Sequence, residues 1–384
     1  MIYLDYNATT PTDPRVVKTM LPYFHDFFAN PSSIHGPGQE ARKAVEQARE
    51  KLAKMLNSKI TEVYFTSGGT EADNLAIKGM AFAQSTRKKI VFSAVEHHAV
   101  LNTCEYMAKF GFEIVKVPVD QYGIVDLNFL EDVVDDNTLI VSVIHANNEM
   151  GTIEPVEEIS RIVHQHGAVF HTDAVQTVGK IPINIKTMEI DMLSLSGHKF
   201  YGPKGIGALI CQKGIRFDPL SHGGHHERNK RAGTENVPGV VGLGKACELV
   251  MAEMVEDETG IKKLRDRLWN GVNQKISDLK LNGHPEKRLA NTLNFSVRYV
   301  EGESLLLSLD MHGICASSGS ACTSANLKPS HVLLAMGIPH EIAHGSLRFS
   351  LGRFTKDEEI EQVIDVFPGI VEKLRSMSPL YKKK

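Results

Sequence analysis

Cysteine is scarce and unpaired. The 384 residues hold five, Cys104, Cys211, Cys247, Cys315 and Cys322, at scattered positions with no C-x-x-C pair. That argues against a disulfide framework and a thiolate zinc site, and most of these thiols are expected to be small buried hydrophobes. Excess charge is also lacking. The formal net charge is −3, so no general attraction to nucleic acid or to an anionic membrane is expected. No apolar run approaches the length of a membrane span, and Met1-Ile2-Tyr3-Leu4-Asp5 lacks a signal-peptide pattern. Internal repeats and low-complexity segments are absent. The expectation is a cytoplasmic protein, with no direct nucleic-acid or membrane partner, long enough for two domains.

What is present is a regular alternation. Residues 1–15 are turn-rich, and Pro11 and Pro14 are expected to discourage a helix there. Gln39 to Leu56 has helical spacing. Short apolar runs then recur at Val63–Thr66, Ile90–Ser93, Ile114–Val119, Leu139–His145, Ala168–Thr172, Ile190–Leu195 and Ile206–Ile210, most of them separated by amphipathic stretches. Strands alternating with helices predict an α/β fold with a mostly parallel seven-stranded sheet. After about Pro238 a long helical stretch runs to about Ile276. Mixed elements follow, including Thr292–Val297, whose alternation predicts a half-buried strand. The division expected is an N-terminal segment 1–15 packing near the small domain, a large domain 16–255, and a smaller α+β domain 256–384.

Ligands of open α/β sheets bind at the carboxyl ends of the strands. The first predicted strand runs into Ser67-Gly68-Gly69-Thr70-Glu71, a glycine-rich helix start that suits a phosphate but lacks the Gly-Lys-Ser/Thr ending of a P-loop. Later strand ends carry Glu96, His97 and His98; His145, Asn147, Asn148 and Glu149; Asp173 and Gln176; and Ser196, His198 and Lys199. Each alone reads as a cap or turn residue. Jointly they describe one polar cleft.

Lysine completes the pattern. Lys199 and Lys204 sit in Ser196-Gly197-His198-Lys199-Phe200-Tyr201-Gly202-Pro203-Lys204-Gly205. A loop amine that is desolvated can form a Schiff base with an aldehyde. Pyridoxal 5′-phosphate (PLP) requires such a lysine, an anion beside its ring nitrogen and a phosphate cup. Lys199, Asp173 and Gly69/Thr70 supply these. Lys204 is the competitor, and Lys199 lies nearer the strand end. The run His222-Gly223-Gly224-His225-His226 has no firm third-ligand spacing, so no metal is expected at the site.

The lysine run, His171-Thr172-Asp173-Ala174-Val175-Gln176 and Ser318-Gly319-Ser320-Ala321-Cys322-Thr323-Ser324 together resemble the cysteine desulfurases of the NifS/IscS type, class V aminotransferases of PLP fold type I. The resemblance extends from Tyr3 to Phe354. It implies PLP on Lys199, with Asp173 at the ring nitrogen and His97 stacked on the ring and moving protons. It implies Gly69, Thr70, Ser196 and His198 at the phosphate, Asn148 and Gln176 at the ring and its phenolic oxygen, and Thr234 reaching the phosphate of a neighbouring subunit in a homodimer. Arg348, with Asn30, would bind the carboxylate of L-cysteine. Cys322, in a run of Ser, Gly and Thr with little to pack, would take the sulfur as a persulfide. It would pass it to an iron–sulfur scaffold protein or a tRNA sulfur carrier, and could transiently ligate an iron–sulfur species. Family members usually have glycine where His225 stands. The rival readings are another PLP enzyme, such as a selenocysteine lyase or aminotransferase, and a non-catalytic assembly subunit.

Overall fold

The computed structural model describes residues 1–83, 86–318, 329–379 and 381. The chain opens with strand β1 (Ile2–Tyr3). The next seven strands are β2 (Val63–Thr66), β3 (Lys89–Ser93), β4 (Glu113–Val117), β5 (Thr138–Ser142), β6 (Val169–Asp173), β7 (Met192–Ser196) and β8 (Gly207–Cys211). They form one sheet in the order β2-β8-β7-β6-β5-β3-β4. β8 runs antiparallel to both β2 and β7, and every other pair is parallel. Every residue of β3, β5, β7 and β8 is buried. That follows from helices covering both faces, and it is why these runs are continuously apolar or small rather than alternating. The chain steps outward from β3 to β4, then returns through β5 to β6 and β7. Between β3 and β5 the direction of winding reverses, which opens a crevice at their carboxyl ends.

The strands β9 (Leu279–Leu281), β10 (Thr292–Val297) and β12 (Ser346–Ser350) form an antiparallel sheet in the order β12-β10-β9, and β1 pairs in parallel with β11 (Ile314–Cys315). One continuous helix, Val237–Lys275, serves both halves. Its first turns, with Val240, Leu243 and Leu249, pack into the core of the large sheet. Its last turns, with Leu268 and Val272, pack into a second core with Leu293, Phe295, Phe349 and Phe367. Ile2 and Leu4 belong to that second core as well.

Two expectations are corrected. Pro14 starts a helix rather than preventing one. It occupies the first turn of Pro14–Met20, where its missing N–H costs nothing, and Asp13 caps the turn by accepting from Arg15 N at 2.8 Å. Strand β10 is buried on both faces rather than half-buried. Its polar face is covered by hydrogen bonds across the molecule: Asn7 Nδ2 donates to Thr292 Oγ1 at 2.9 Å, and Asn294 Nδ2 donates to the Glu149 carbonyl at 3.1 Å. Alternation reveals two unlike faces, not whether the polar one meets water.

Candidate active site

The strand ends meet in a cavity of about 280 Å³ lined by Gly69, Thr70, His97, Asn148, Asp173, Gln176, Ser196, His198, Lys199 and Arg348, together with Asn7, Ala8, Asp73, Ile144 and Val175. Ten of the residues expected from the sequence are brought together here. Thr234 and Asn30 are exposed and outside this lining. Cys322 lies outside the described residues. Lys204 is exposed, so of the two loop lysines only Lys199 reaches the cavity.

Each side chain is placed by local geometry. The turn after β2 is shaped by Thr66 Oγ1 donating to the Gly68 carbonyl at 2.9 Å and Ser67 N donating to Glu71 Oε2 at 2.7 Å. It opens the helix Gly69–Ala83, whose first N–H groups have no intrahelical partners. A Cβ on Gly69 would meet Val175 Cγ2 at 2.6 Å, so only glycine leaves this cradle open. Gly207 is needed for a related reason: its Cβ would lie 2.5 Å from the Leu195 carbonyl and 2.7 Å from Gly68 Cα. His97 caps the helix His98–Met107, its Nδ1 accepting from Ala99 N at 3.1 Å. Burial and the nearby Lys199 push its pKa down to about 4. The ring is therefore neutral near pH 7, with its proton on Nε2.

Asp173 is 3% exposed. One carboxylate oxygen accepts from Val175 N at 2.9 Å, and burial lifts its pKa to about 6. Lys199 Nζ donates to the carbonyls of Asn7 at 2.5 Å and Ala8 at 2.8 Å. The N-terminal segment thus wraps over the lysine, and His198 is fixed the same way, through Nδ1 to Thr9 Oγ1 at 3.0 Å. Arg348 donates to Asp5 Oδ1 at 2.7 Å and to the Asn148 carbonyl at 2.9 Å, while its buried Nε has no hydrogen-bond partner among the described residues.

These features fit PLP. A cradle that a methyl group would fill, a buried carboxylate and an amine at the mouth match a phosphate, a protonated ring nitrogen and an aldehyde. Asn7 and Ala8 join the site without having been expected there. Their only signal in the sequence is the turn-rich run Asp5-Tyr6-Asn7-Ala8-Thr9-Thr10, which nothing local connects to a lysine nearly two hundred residues away. Among the described residues, no three His, Cys, Asp or Glu are grouped to hold a metal ion. Cys104, Cys211 and Cys247 are buried, and burial lifts the Cys211 and Cys247 thiols to about 12.

Comparison with known proteins shows the family. The family model for aminotransferase class-V matches residues 2–363. The chain belongs to the class-V aminotransferase family, in its cysteine desulfurase branch. It is 54% identical over 384 residues to the cysteine desulfurase IscS of Methanosarcina thermophila, covering all of this chain and 95% of the relative. To the cysteine desulfurase IscS of Dictyoglomus turgidum it is 53% identical, covering 100% and 97%. Among solved structures, a NifS-like protein superimposes with a TM-score of 0.92 at 40% identity, covering 97% of this chain and all of that one. A structure of SspA in complex with cysteine gives a TM-score of 0.82 at 35% identity, covering 93% and 100%.

Proposed function

We propose that this chain converts L-cysteine to L-alanine with PLP, moving the sulfur to Cys322 as a persulfide. The observation that carries the reading is the convergence of Lys199, Asp173, the Gly69–Thr70 cradle and Arg348 on one cavity. Lys199 would hold the cofactor covalently and Asp173 would keep its ring nitrogen protonated. Gly69, Thr70, Ser196 and His198 would bind the phosphate, joined by Thr234 of a second subunit in a homodimer. His97, Asn148 and Gln176 would contact the ring. Bound this way, PLP supplies an electron sink that makes the bonds at the substrate's Cα and Cβ labile.

The chain's own residues then divide the work. Arg348 binds the substrate carboxylate, a task suited to a planar guanidinium. Lys199 takes and returns the proton at Cα. Neutral His97 can accept or donate a proton beside it. The Cys322 thiolate attacks the substrate sulfur, so that an S–S bond forms as the Cβ–S bond breaks and the carbon skeleton is protonated to alanine. The sum is cysteine plus thiol giving alanine plus persulfide, with no outside oxidant or reductant.

The chain flanking Cys322 is fastened beside the cavity at both ends. Ser317 exchanges backbone hydrogen bonds with Arg348, at 3.1 and 2.6 Å, and Ser330 Oγ donates to Glu149 Oε2 at 2.5 Å. In this reading residues 16–255 hold the cofactor and 256–384 bring Arg348 and Cys322 to it. The acceptor is an iron–sulfur scaffold protein or another cytoplasmic sulfur carrier. No helix among the described residues is long and apolar enough to cross a membrane.

The test is mass spectrometry of the PLP-loaded protein after incubation with L-cysteine. One added sulfur atom on Cys322 is expected. Lys199→Ala abolishes the visible chromophore and borohydride trapping. Cys322→Ala keeps both and loses the persulfide. Sulfide release by Cys322→Ala at the wild-type rate refutes the nucleophile assignment.

A further inference from the structure

Lys180 has no role in the reading above, yet it lies four residues beyond Gln176 in the turn that follows β6. Its Nζ donates to Gln176 Oε1 at 2.8 Å and lies 3.4 Å from Asn7 Oδ1. At the other end of the same amide, Gln176 Nε2 donates to the Asn7 carbonyl at 3.0 Å. The Asn7 carbonyl also accepts from Lys199 Nζ at 2.5 Å. Two lysines, one on each side, are therefore joined through Asn7 and Gln176.

An amide can be turned over with little change in shape, so its orientation must be read from its partners. Here both partners agree. A backbone carbonyl can only accept, which puts Nε2 at Asn7. The Lys180 amine donates to Oε1 at the other end, the orientation that the Asn7 carbonyl already requires. Asn7 is itself immobilised, because Asn291 Nδ2 donates to its Oδ1 at 2.8 Å and its Nδ2 donates to the Asn148 carbonyl at 3.1 Å. Gln176 is 3% exposed and lines the cavity. With Oε1 occupied and one Nε2 hydrogen used, the remaining hydrogen is the polar group that Gln176 can offer a ligand.

We propose that Lys180 is a positioning residue that locks the Gln176 amide with its N–H toward the cavity, committing the site to an acceptor oxygen on the cofactor. This rests on the PLP assignment proposed above, in which Gln176 meets the phenolic oxygen. An N–H donor there stabilises the phenolate and so favours deprotonation of the lysine-linked cofactor. The ionisable groups facing Lys180 are Lys199 and Arg348, with Tyr6, Tyr201, Asp257 and Glu258 around the small adjoining cavity. Burial and the two cations hold the Lys180 amine well below its ordinary range, which leaves its role as a donor intact.

The experiment is a pH titration of the visible absorption band of the full chain loaded with PLP. Lys180→Met is expected to raise the midpoint by about one unit, a tenfold change in the proton equilibrium. Lys180→Arg, which still donates, restores most of it. In a Gln176→Ala background Lys180→Met adds nothing further. Should Lys180→Met not fold, Lys180→Gln replaces it, because a neutral amide presents either end to Gln176 and no longer fixes the flip. An unchanged midpoint overturns the proposal. So does an equal shift in the Gln176→Ala background, since loss of a nearby cation would then act on Lys199 directly. If the wild-type chain shows no lysine-linked band, the PLP assignment itself fails, an outcome separable from the other two.

Discussion

Breaking the buried ion pair behind the Gly68–Gly69 turn tests how the cavity is held in shape. Arg49 and Glu227 are 3% and 7% exposed. Arg49 Nη1 and Nη2 meet Glu227 Oε2 and Oε1, both at 2.8 Å, and Nη1 also donates to the Val63 carbonyl at 2.9 Å. Glu227 Oε2 accepts in addition from Phe65 N at 2.9 Å, and the guanidinium lies 4.5 Å from the Phe65 ring centroid. The pair thus clamps β2, which leads into Gly68–Gly69, to the turn Glu227–Asn229. That turn holds three successive non-glycine residues at φ of 43°, 55° and 64°, a conformation that costs roughly 1–2 kcal/mol per residue. Arg49→Met leaves Glu227 buried without its cation. The expected loss is about 3–5 kcal/mol, a large part of the roughly 5–15 kcal/mol that holds a domain together. Arg49→Met/Glu227→Met removes both charges and is expected to cost less than Arg49→Met alone. Urea unfolding followed by ellipticity measures both, with hydrogen exchange at Arg228–Thr234 as the local readout. A loss below about 1 kcal/mol for Arg49→Met, or a double variant as costly as the summed singles, refutes the clamp.

Other outcomes follow from the same geometry. Arg348→Gln is expected to raise KM for cysteine about 10- to 100-fold, as removal of a charge-assisted hydrogen bond of about 1.5–3 kcal/mol would. The visible band of the bound cofactor is retained, and loss of that band would show that Arg348 serves the cofactor instead. Glu154 is buried, its Oε2 accepting from Val125 N at 3.0 Å, its Oε1 without a hydrogen-bond partner among the described residues and its pKa raised to about 8. A raised carboxyl favours the folded state below its unfolded pKa, and that advantage is lost as pH climbs from about 4.5 to 8. Glu154→Gln keeps the acceptor for Val125 and removes the ionisation. It should therefore stabilise the protein at pH 8 relative to pH 5, by on the order of 4 kcal/mol at most. Parallel pH profiles of variant and wild type would refute this.

Much of the site is legible in the sequence, because its parts sit at strand ends. Strand runs announce themselves by apolar, β-branched composition, and five of the seven are followed within a few residues by groups that line the cavity. The sheet order then needs only that parallel strands be crossed by helices. Nothing local links Asn7 or Ala8 to Lys199, or Asp5 to Arg348, since these contacts join segments far apart in the chain. Pro14 misleads because proline disfavours a helix interior but suits a helix start, and only Asp13 in capping position tells which applies. The alternation in β10 misleads because period two reports unlike faces whether or not the polar face meets water.

Sequence alone determined the α/β alternation, the polar residues and loop lysines at the strand ends, and the resemblance in motifs from Tyr3 to Phe354, since each depends on residue type and short-range spacing. The tertiary structure decided which lysine of the loop faces the cavity, that Lys180 joins Asn7 and Gln176 at its edge, and which way the Gln176 amide is turned. Those are matters of burial and of paired donors and acceptors, and a partner's identity exists only once distant segments have been packed against one another.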